Sequence, residues 1–228
     1  MLIIDGDYPM AVGALDSGRD LTLPIDQVRT APELASRMRW SDDGAMASLP
    51  EMRNGAIAVA VVKMVACVKR PVHDHGDYRS DELAYSAAQG QLVYYRILEA
   101  RGESRILESR GGFQEHMGVW SNASSYDDLP VGMILGMEGA DAILDPDQVH
   151  QWWDQGLRVV SLSHYGVSRY SHGTGTGTSG GLFPETKDLL REMGSLGMIL
   201  DVAHTSDESV RQSLDLFSGP VLGSHLNC

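Results

Sequence analysis

The sequence has 228 residues, with 18 Lys and Arg against 31 Asp and Glu, and a formal net charge of −13 with the histidines neutral. An acidic surface repels nucleic-acid backbones and anionic membranes, so neither is an expected partner. With 43% hydrophobic and 21% charged residues, the composition is typical of a globular chain with a core.

The cellular location is predicted from the absence of a signal peptide and of a membrane-spanning segment in the sequence, and from the number of cysteines. Met1–Asp7 has no basic region before a long apolar run, so we expect no secretory signal. The longest apolar run, Ala56–Val68 interrupted by Lys63, is shorter than the roughly 20 residues that cross a membrane as a helix. Two cysteines, Cys67 and Cys228, do not make the disulfide framework of a small secreted domain. We therefore predict a cytoplasmic protein.

Short β-rich segments alternate with segments of helical periodicity along the chain. Strands are predicted at Leu2–Asp5, Gly55–Val65, Arg105–Leu107, Val131–Met137, Arg158–Leu162, Met198–Ala203 and Pro220–Gly223. Helices are predicted at Pro24–Arg39, Glu82–Ala100, Asp147–Gln155 and Glu185–Leu196, and another begins near Thr205–Glu208. Two glycine-containing segments, Gly111–Pro130 and Ser171–Gly181, are predicted loops.

This alternation predicts an α/β fold with a parallel sheet, because parallel neighbours need a helix-sized return connection. A polar residue follows several of the apolar strands directly. In a parallel barrel the carboxyl ends of all strands lie on one rim, where active sites are found. The residues expected at this rim are Asp7, Glu138, His164, His204 and His225.

Three of these residues make a candidate metal site. Neutral imidazole is a common zinc ligand, and His204 and His225 follow successive strands. Glu138 adds a carboxylate that can bridge two cations. A single histidine at a strand end is more often a hydrogen-bonding rim residue, and His164 fits a substrate-binding donor equally well. The cluster His73–His75 lies in a polar loop after a proline and is predicted to be solvated.

The motifs resemble the membrane (renal) dipeptidase family of zinc metallopeptidases. The resemblance covers the chain closely from Val131 onward, and more loosely at Ile4–Gly6. The matching segments, in order, are Gly136–Ala140, Gly156–His164, Gly181–Phe183, Arg191–Met193, Leu196–His204 and Pro220–His225.

The resemblance implies a (β/α)8 TIM-barrel-like metal-dependent hydrolase fold that cleaves a dipeptide with a metal-activated water. By position, Glu138 would bridge two zinc ions, His204 and His225 would bind one of them, and His164 would contact the substrate. Catalytic roles therefore fall to Glu138 and His164. Such chemistry needs no protein nucleophile, since a metal acidifies bound water and polarises the scissile carbonyl.

Two departures from the family pattern limit which of the family's metal ligands and active-site residues can be assigned to this chain. The family's first strand ends in Asp-Gly-His-x-Asp, whereas this chain has Asp5–Pro9, with Asp7 in place of the histidine and Pro9 in place of the aspartate. Asp7 can supply an oxygen ligand and Pro9 cannot, so one zinc site is expected and the second is doubtful.

The other departure is that the sequence stops three residues after His225, before the family's arginine segment, last strands and reaction-centre aspartate. We therefore expect a single incomplete barrel domain over residues 1–228, with about six of eight strands and weak or no turnover.

Two alternatives stay open at this point. One is a non-catalytic remnant or binding module of the same fold. The other is a metal-dependent amidohydrolase that acts on a non-peptide amide or a lactone, because fold does not fix the substrate. Open sheet edges in an incomplete barrel would favour a homo-oligomer.

Overall fold

The computed structural model describes residues 1–29, 45–70, 76–177 and 180–226. Its strands are β1 (Ile3–Asp5), β2 (Ile57–Val65), β3 (Ser104–Ile106), β4 (Val131–Glu138), β5 (Val159–Ser161), β6 (Ile199–Asp201) and β7 (Val221–Leu222). Its helices are α1 (Met10–Ser17), α2 (Ile25–Arg29), α3 (Leu49–Asn54), α4 (Asp81–Ala100), α5 (Arg110–Asn122), α6 (Val149–Asp154), α7 (Thr186–Leu196) and α8 (Asp207–Leu216). The predicted α/β class is confirmed, and the pairs β1–β2, β3–β4, β4–β5, β5–β6 and β6–β7 are all parallel.

The chain forms two compact units, and the first consists of Met1–Lys63 and Gln91–Leu135. Its strand order is β1-β2-β4, with β3 paired with β4. Strand β2 is buried on both faces along almost its whole length, as its unbroken apolar run predicts. The exception to that apolar run is Lys63, a charged residue in the middle of the core.

The second unit consists of Met64–Gly90 and Gly136–Cys228. Its strand order is β4-β5-β6-β7, and α7 packs against α6 and α8. Ser206 caps the N-terminus of helix α8, since its hydroxyl accepts a hydrogen bond from the Ser209 amide at 3.3 Å, so the predicted helix start is confirmed. No helix in the described part of the chain is both long and apolar enough to span a membrane.

The prediction of a loop over Gly111–Pro130 is wrong for its first half. Residues Arg110–Asn122 form a 13-residue helix, α5, capped by Ser109, whose hydroxyl accepts from the Gly112 amide. Three glycines in this segment lower its helical propensity, so the helix was not predicted from the sequence. Tertiary packing overrides this, because the helix buries His116 and Trp120.

The loop predicted at Ser171–Gly181 contains more order than its composition indicates. It includes a short 3-10 turn at Thr174–Thr176, and isolated bridges join Ser171 to Leu182 and Gly173 to Thr205. Long-range pairing of this kind cannot be read from local composition. The part of the predicted helix Pro24–Arg39 beyond Arg29, and the cluster His73–His75, lie outside the described residues.

Candidate metal centre

The pairing of strands in the second unit places the candidate site residues at the same end of the sheet. Glu138, at the end of β4, pairs with Ser161 on β5, Ser161 pairs with Asp201 on β6, and Asp201 pairs with Leu222 on β7. These paired residues form one row across the sheet. A histidine lies three residues after the row's residue on each of β5, β6 and β7, at His164, His204 and His225. Equal offsets from one row of a parallel sheet bring these side chains to the same edge.

Three of the predicted residues meet at this edge. The Nε2 atoms of His204 and His225 are 2.7 Å apart. Oε1 of Glu138 is 3.2 Å from Nε2 of His204 and 3.3 Å from Nε2 of His225. The Glu138 side chain is only 3% exposed, whereas that of His225 is 32% exposed. The cluster therefore has a buried carboxylate at its base and an imidazole at its open side.

The donor set of this cluster fits a zinc-type ion. Among the described residues, these three form a group whose ligand atoms all lie within 4.8 Å of one another. Ligand atoms held about 2.0–2.1 Å from a tetrahedral ion are about 3.3 Å apart, which matches both distances from Glu138 to the histidines. The shorter separation of the two imidazoles is that of an N–H···N hydrogen bond. Three protein ligands leave a fourth tetrahedral position for water or substrate.

His164 lies beside the cluster without joining it. Its ring is edge-on to that of His204, with the centroids 4.5 Å apart, and edge-on to that of Tyr165 at 4.6 Å. The ring of Tyr165 also contacts His204 edge-on, at 4.4 Å. His164 is half-buried and Tyr165 is exposed. These two rings therefore form a wall of the open side of the site.

The backbone after β6 is shaped to present His204. This residue has a φ of +59°, a left-handed conformation that histidine adopts more readily than most residues. Its carbonyl accepts hydrogen bonds from the Thr174 amide at 2.9 Å and from the Ser163 hydroxyl at 3.4 Å. The segment around the 3-10 turn thus helps to hold His204 in place.

Asp7, the fourth predicted ligand, lies in the first unit and is not a member of the three-residue group. Its Oδ1 is 3.0 Å from Nζ of Lys63, whose side chain is 0% exposed. Asp7 therefore supplies a counter-charge to a buried ammonium group.

Gly139 follows the Glu138 carboxylate and has a conformation that only glycine adopts easily. Its φ is +82° and its ψ is 112°. A Cβ added there would lie 3.0 Å from Sγ of Cys67 and 3.5 Å from the His164 amide nitrogen. The glycine thus allows the chain to turn sharply at the end of β4, immediately after the candidate ligand Glu138.

We expect Gly139→Ala to lower the free energy of unfolding by about 2–3 kcal/mol, because it adds backbone strain and a close contact. Gly197→Ala is the matched control, since Gly197 also has a positive φ (+75°) but has open space around it, and its cost should be about 1 kcal/mol. Urea denaturation of both variants measures the difference. Equal losses would contradict the close contact at Gly139.

Cys67 is close to the cluster, with its Sγ 3.8 Å from the backbone carbonyl oxygen of Glu138. Desolvation raises the pKa of its thiol well above the usual value, and the charges of Asp141 and Glu138 raise it further. Cys67 is also not a member of the three-residue group of converging ligand atoms.

The sequence reading missed two residues that support the cluster, Asp201 and Ser224. Asp201 is fully buried, and its carboxylate contacts the hydroxyl of Ser224 at 2.6 Å. A carboxylate within an otherwise apolar strand is an unusual feature, and it is the signal from which Asp201 could have been found.

Parallel strands with a carboxylate–imidazole cluster at their carboxyl ends define an α/β protein with a candidate metal centre. The family model described as membrane dipeptidase (peptidase family M19) matches residues 106–228, which is more than half of the chain. The chain belongs to this family, and the resemblance inferred from the motifs is confirmed.

Individual relatives are similar over part of their length. An uncharacterized dipeptidase of Schizosaccharomyces pombe is 35% identical over 98 residues, which cover 42% of this chain and 24% of that protein. Dipeptidase tcpJ of Claviceps purpurea is 32% identical over 95 residues, covering 40% of this chain and 22% of that protein.

A solved structure is similar over the whole chain. It is the metallo peptidase from Rhodobacter sphaeroides liganded with a phosphinate mimic of the dipeptide L-Ala-D-Ala. The TM-score is 0.73 at 18% identity, and the match covers 100% of this chain and 65% of that one. At this identity the likeness shows the fold, and it confirms the TIM-barrel-like class. The chain spans less than two thirds of the length of these relatives.

Proposed function

We propose that this protein is a metal-dependent dipeptidase with one zinc ion held by Glu138, His204 and His225. The observation that carries the proposal is the approach of one carboxylate oxygen and two imidazole nitrogens to within 3.3 Å of one another. Membership of the membrane dipeptidase family supports the same reading.

Zinc is the ion that we assign, because two imidazoles with one carboxylate are the donor set of many catalytic zinc sites. When bound, the ion supplies Lewis acidity, which activates water near neutral pH and polarises a scissile carbonyl. Glu138 offers its charge from a buried position, where the surrounding protein screens it less than water would. The two histidines complete the set from the more exposed side.

His164 is proposed to orient the substrate. Its half-buried ring lies against His204 and beside the exposed Tyr165, which places an imidazole next to the proposed metal centre. In that position it can donate a hydrogen bond to the carbonyl oxygen under attack, and the bond strengthens as negative charge develops there.

The substrate class that we propose is a dipeptide. Relatives that match this chain are named dipeptidases, and the solved relative from Rhodobacter sphaeroides carries a phosphinate mimic of L-Ala-D-Ala. L-Ala-D-Ala is therefore the first substrate to test.

The test measures zinc content and hydrolysis on the same sample. Elemental analysis of the purified chain should give one zinc per chain. Alanine release from L-Ala-D-Ala should be slow, in keeping with the weak turnover expected from the sequence, and it should stop with a chelator and return when zinc is added back. His164→Leu should keep the zinc and lose about tenfold in turnover, because leucine has no N–H and one hydrogen bond to the reacting group is removed.

The outcomes separate the candidate functions. Zinc binding without dipeptide cleavage would favour the binding module, and cleavage of a lactone or a non-peptide amide alone would favour the amidohydrolase. A chain that binds no zinc would overturn the proposed centre.

A further inference from the structure

The carboxylate of Asp201 lies at the centre of a hydrogen-bond network just behind the metal centre. Its Oδ1 accepts from the backbone amides of Ala203 and Ser224, each at 3.1 Å. Its Oδ2 accepts from the hydroxyls of Ser224 at 2.6 Å and Ser161 at 3.0 Å. All four partners are donors, so the buried carboxylate acts as an acceptor in each contact.

Ser224 connects this carboxylate to a proposed ligand. Its Oγ is also 2.8 Å from Nδ1 of the neighbouring His225. A serine hydroxyl has one hydrogen, and that hydrogen is directed to Asp201. Toward His225 the oxygen therefore presents a lone pair, which requires the hydrogen of the neutral imidazole to be on Nδ1.

The other ring nitrogen of His225 is then fixed as an acceptor. A neutral imidazole with its hydrogen on Nδ1 carries a lone pair on Nε2, and this atom faces Nε2 of His204 and Oε1 of Glu138. With this tautomer, the lone pair accepts the N–H of His204 across the 2.7 Å between the two Nε2 atoms. The same lone pair is what a metal ion needs.

We propose that Asp201 and Ser224 are positioning residues that hold His225 in the Nδ1-protonated tautomer and so prepare its Nε2 to bind the metal. The relevance to zinc rests on the proposed function, whereas the tautomer is a property of the metal-free chain. Groups that orient a metal-binding histidine through its second nitrogen typically change metal affinity about 10–100-fold when removed.

The chain offers a matched control for this network. Ser161 donates to the same carboxylate oxygen as Ser224, but its partner is Asp201 and it is not in the relay to Nδ1 of His225. Ser161→Ala therefore removes a comparable hydrogen bond to Asp201 and leaves the relay intact. Ser224→Thr keeps the hydroxyl and should keep the wild-type behaviour.

Asp201→Asn gives a second and sharper test. Two backbone amides donate to Oδ1, so the amide oxygen of asparagine takes that place and its NH₂ group faces Ser224. The NH₂ group would donate to the serine oxygen, and the hydroxyl hydrogen would turn toward Nδ1 of His225. The variant keeps the shape of the side chain but should reverse the tautomer.

The experiment records ¹⁵N spectra of histidine-labelled, metal-free protein at a mildly alkaline pH, and measures zinc affinity by chelator competition. We expect the Nδ1–H form of His225 in the wild type, Ser161→Ala and Ser224→Thr, and the Nε2–H form in Ser224→Ala and Asp201→Asn. Zinc affinity should fall about 10–100-fold in the last two and by less than about threefold in Ser161→Ala.

Two results would overturn the proposal. One is a wild-type His225 that is protonated on Nε2. The other is a Ser224→Ala or Asp201→Asn variant with the wild-type tautomer and an affinity equal to that of Ser161→Ala. If the wild type binds no zinc, the proposed function fails, while the spectra of the metal-free chains still decide the tautomer.

Discussion

Replacing His204 with alanine is expected to abolish the rise in thermal midpoint that zinc produces in the wild-type chain. At a free zinc concentration one hundred times Kd, binding stabilises the folded state by about 2.7 kcal/mol. For a chain of this length the corresponding shift is about 5–10 °C. The loss should be complete because His204 contributes one of three converging ligand atoms and is within 3.2 Å of both others.

The control for this experiment is His150→Ala. His150 is another histidine of the second unit with a glutamate partner, Glu192, at 2.9 Å, but its side chain is 48% exposed and lies outside the three-residue group. It should retain the full zinc response. A similar zinc response in the two variants would show that the ion binds elsewhere, and the proposed centre would be wrong.

The strand ends were predictable from the sequence because they are local features. An apolar run that stops at a polar residue marks both the strand and the position of its last side chains, as at Glu138 and His204. In a parallel sheet such positions share one edge. Three chemically suitable residues could therefore be grouped from the sequence, although only the register shows that the histidines follow the same row at equal offsets.

The support for the cluster could not be predicted in the same way. The contact between Asp201 and Ser224 joins the last residue of β6 to a residue two positions beyond the end of β7, and it depends on which residue of β6 lies opposite which residue of β7. A shift of one position in the pairing of β6 with β7 would move Ser224 away from the Asp201 carboxylate. Helix α5 was missed for another reason, since its glycines conceal a helix that is stabilised by burial of Trp120.

Asp7→Asn is expected to lower the free energy of unfolding by about 3 kcal/mol while leaving the response to zinc unchanged. The ammonium group of Lys63 is completely buried, and the Asp7 carboxylate, with 17% of its side chain exposed, lies 3.0 Å away. Removing one partner of a buried ion pair leaves a costly charge in the core, typically about 3–5 kcal/mol. We expect the low end of this range because Asp7 retains some contact with water.

A double-mutant cycle separates the ion pair from other effects of the substitution. Lys63→Met removes the buried charge and keeps a side chain of similar length, so it should cost less than Asp7→Asn. In the double variant the neutral asparagine no longer faces a buried ammonium group, and most of the loss should be regained. Urea denaturation of the four proteins gives the coupling energy directly.

The zinc measurement on Asp7→Asn then decides between the two roles of this residue. As a counter-charge to Lys63, Asp7 affects stability alone, and the variant should bind one zinc with the wild-type affinity. As an oxygen ligand, the role that its position in the sequence suggests, its loss would lower zinc affinity or stoichiometry. Because Oδ1 is already engaged with Lys63, we expect the stability effect without the metal effect, and weaker zinc binding would instead place Asp7 in the metal centre.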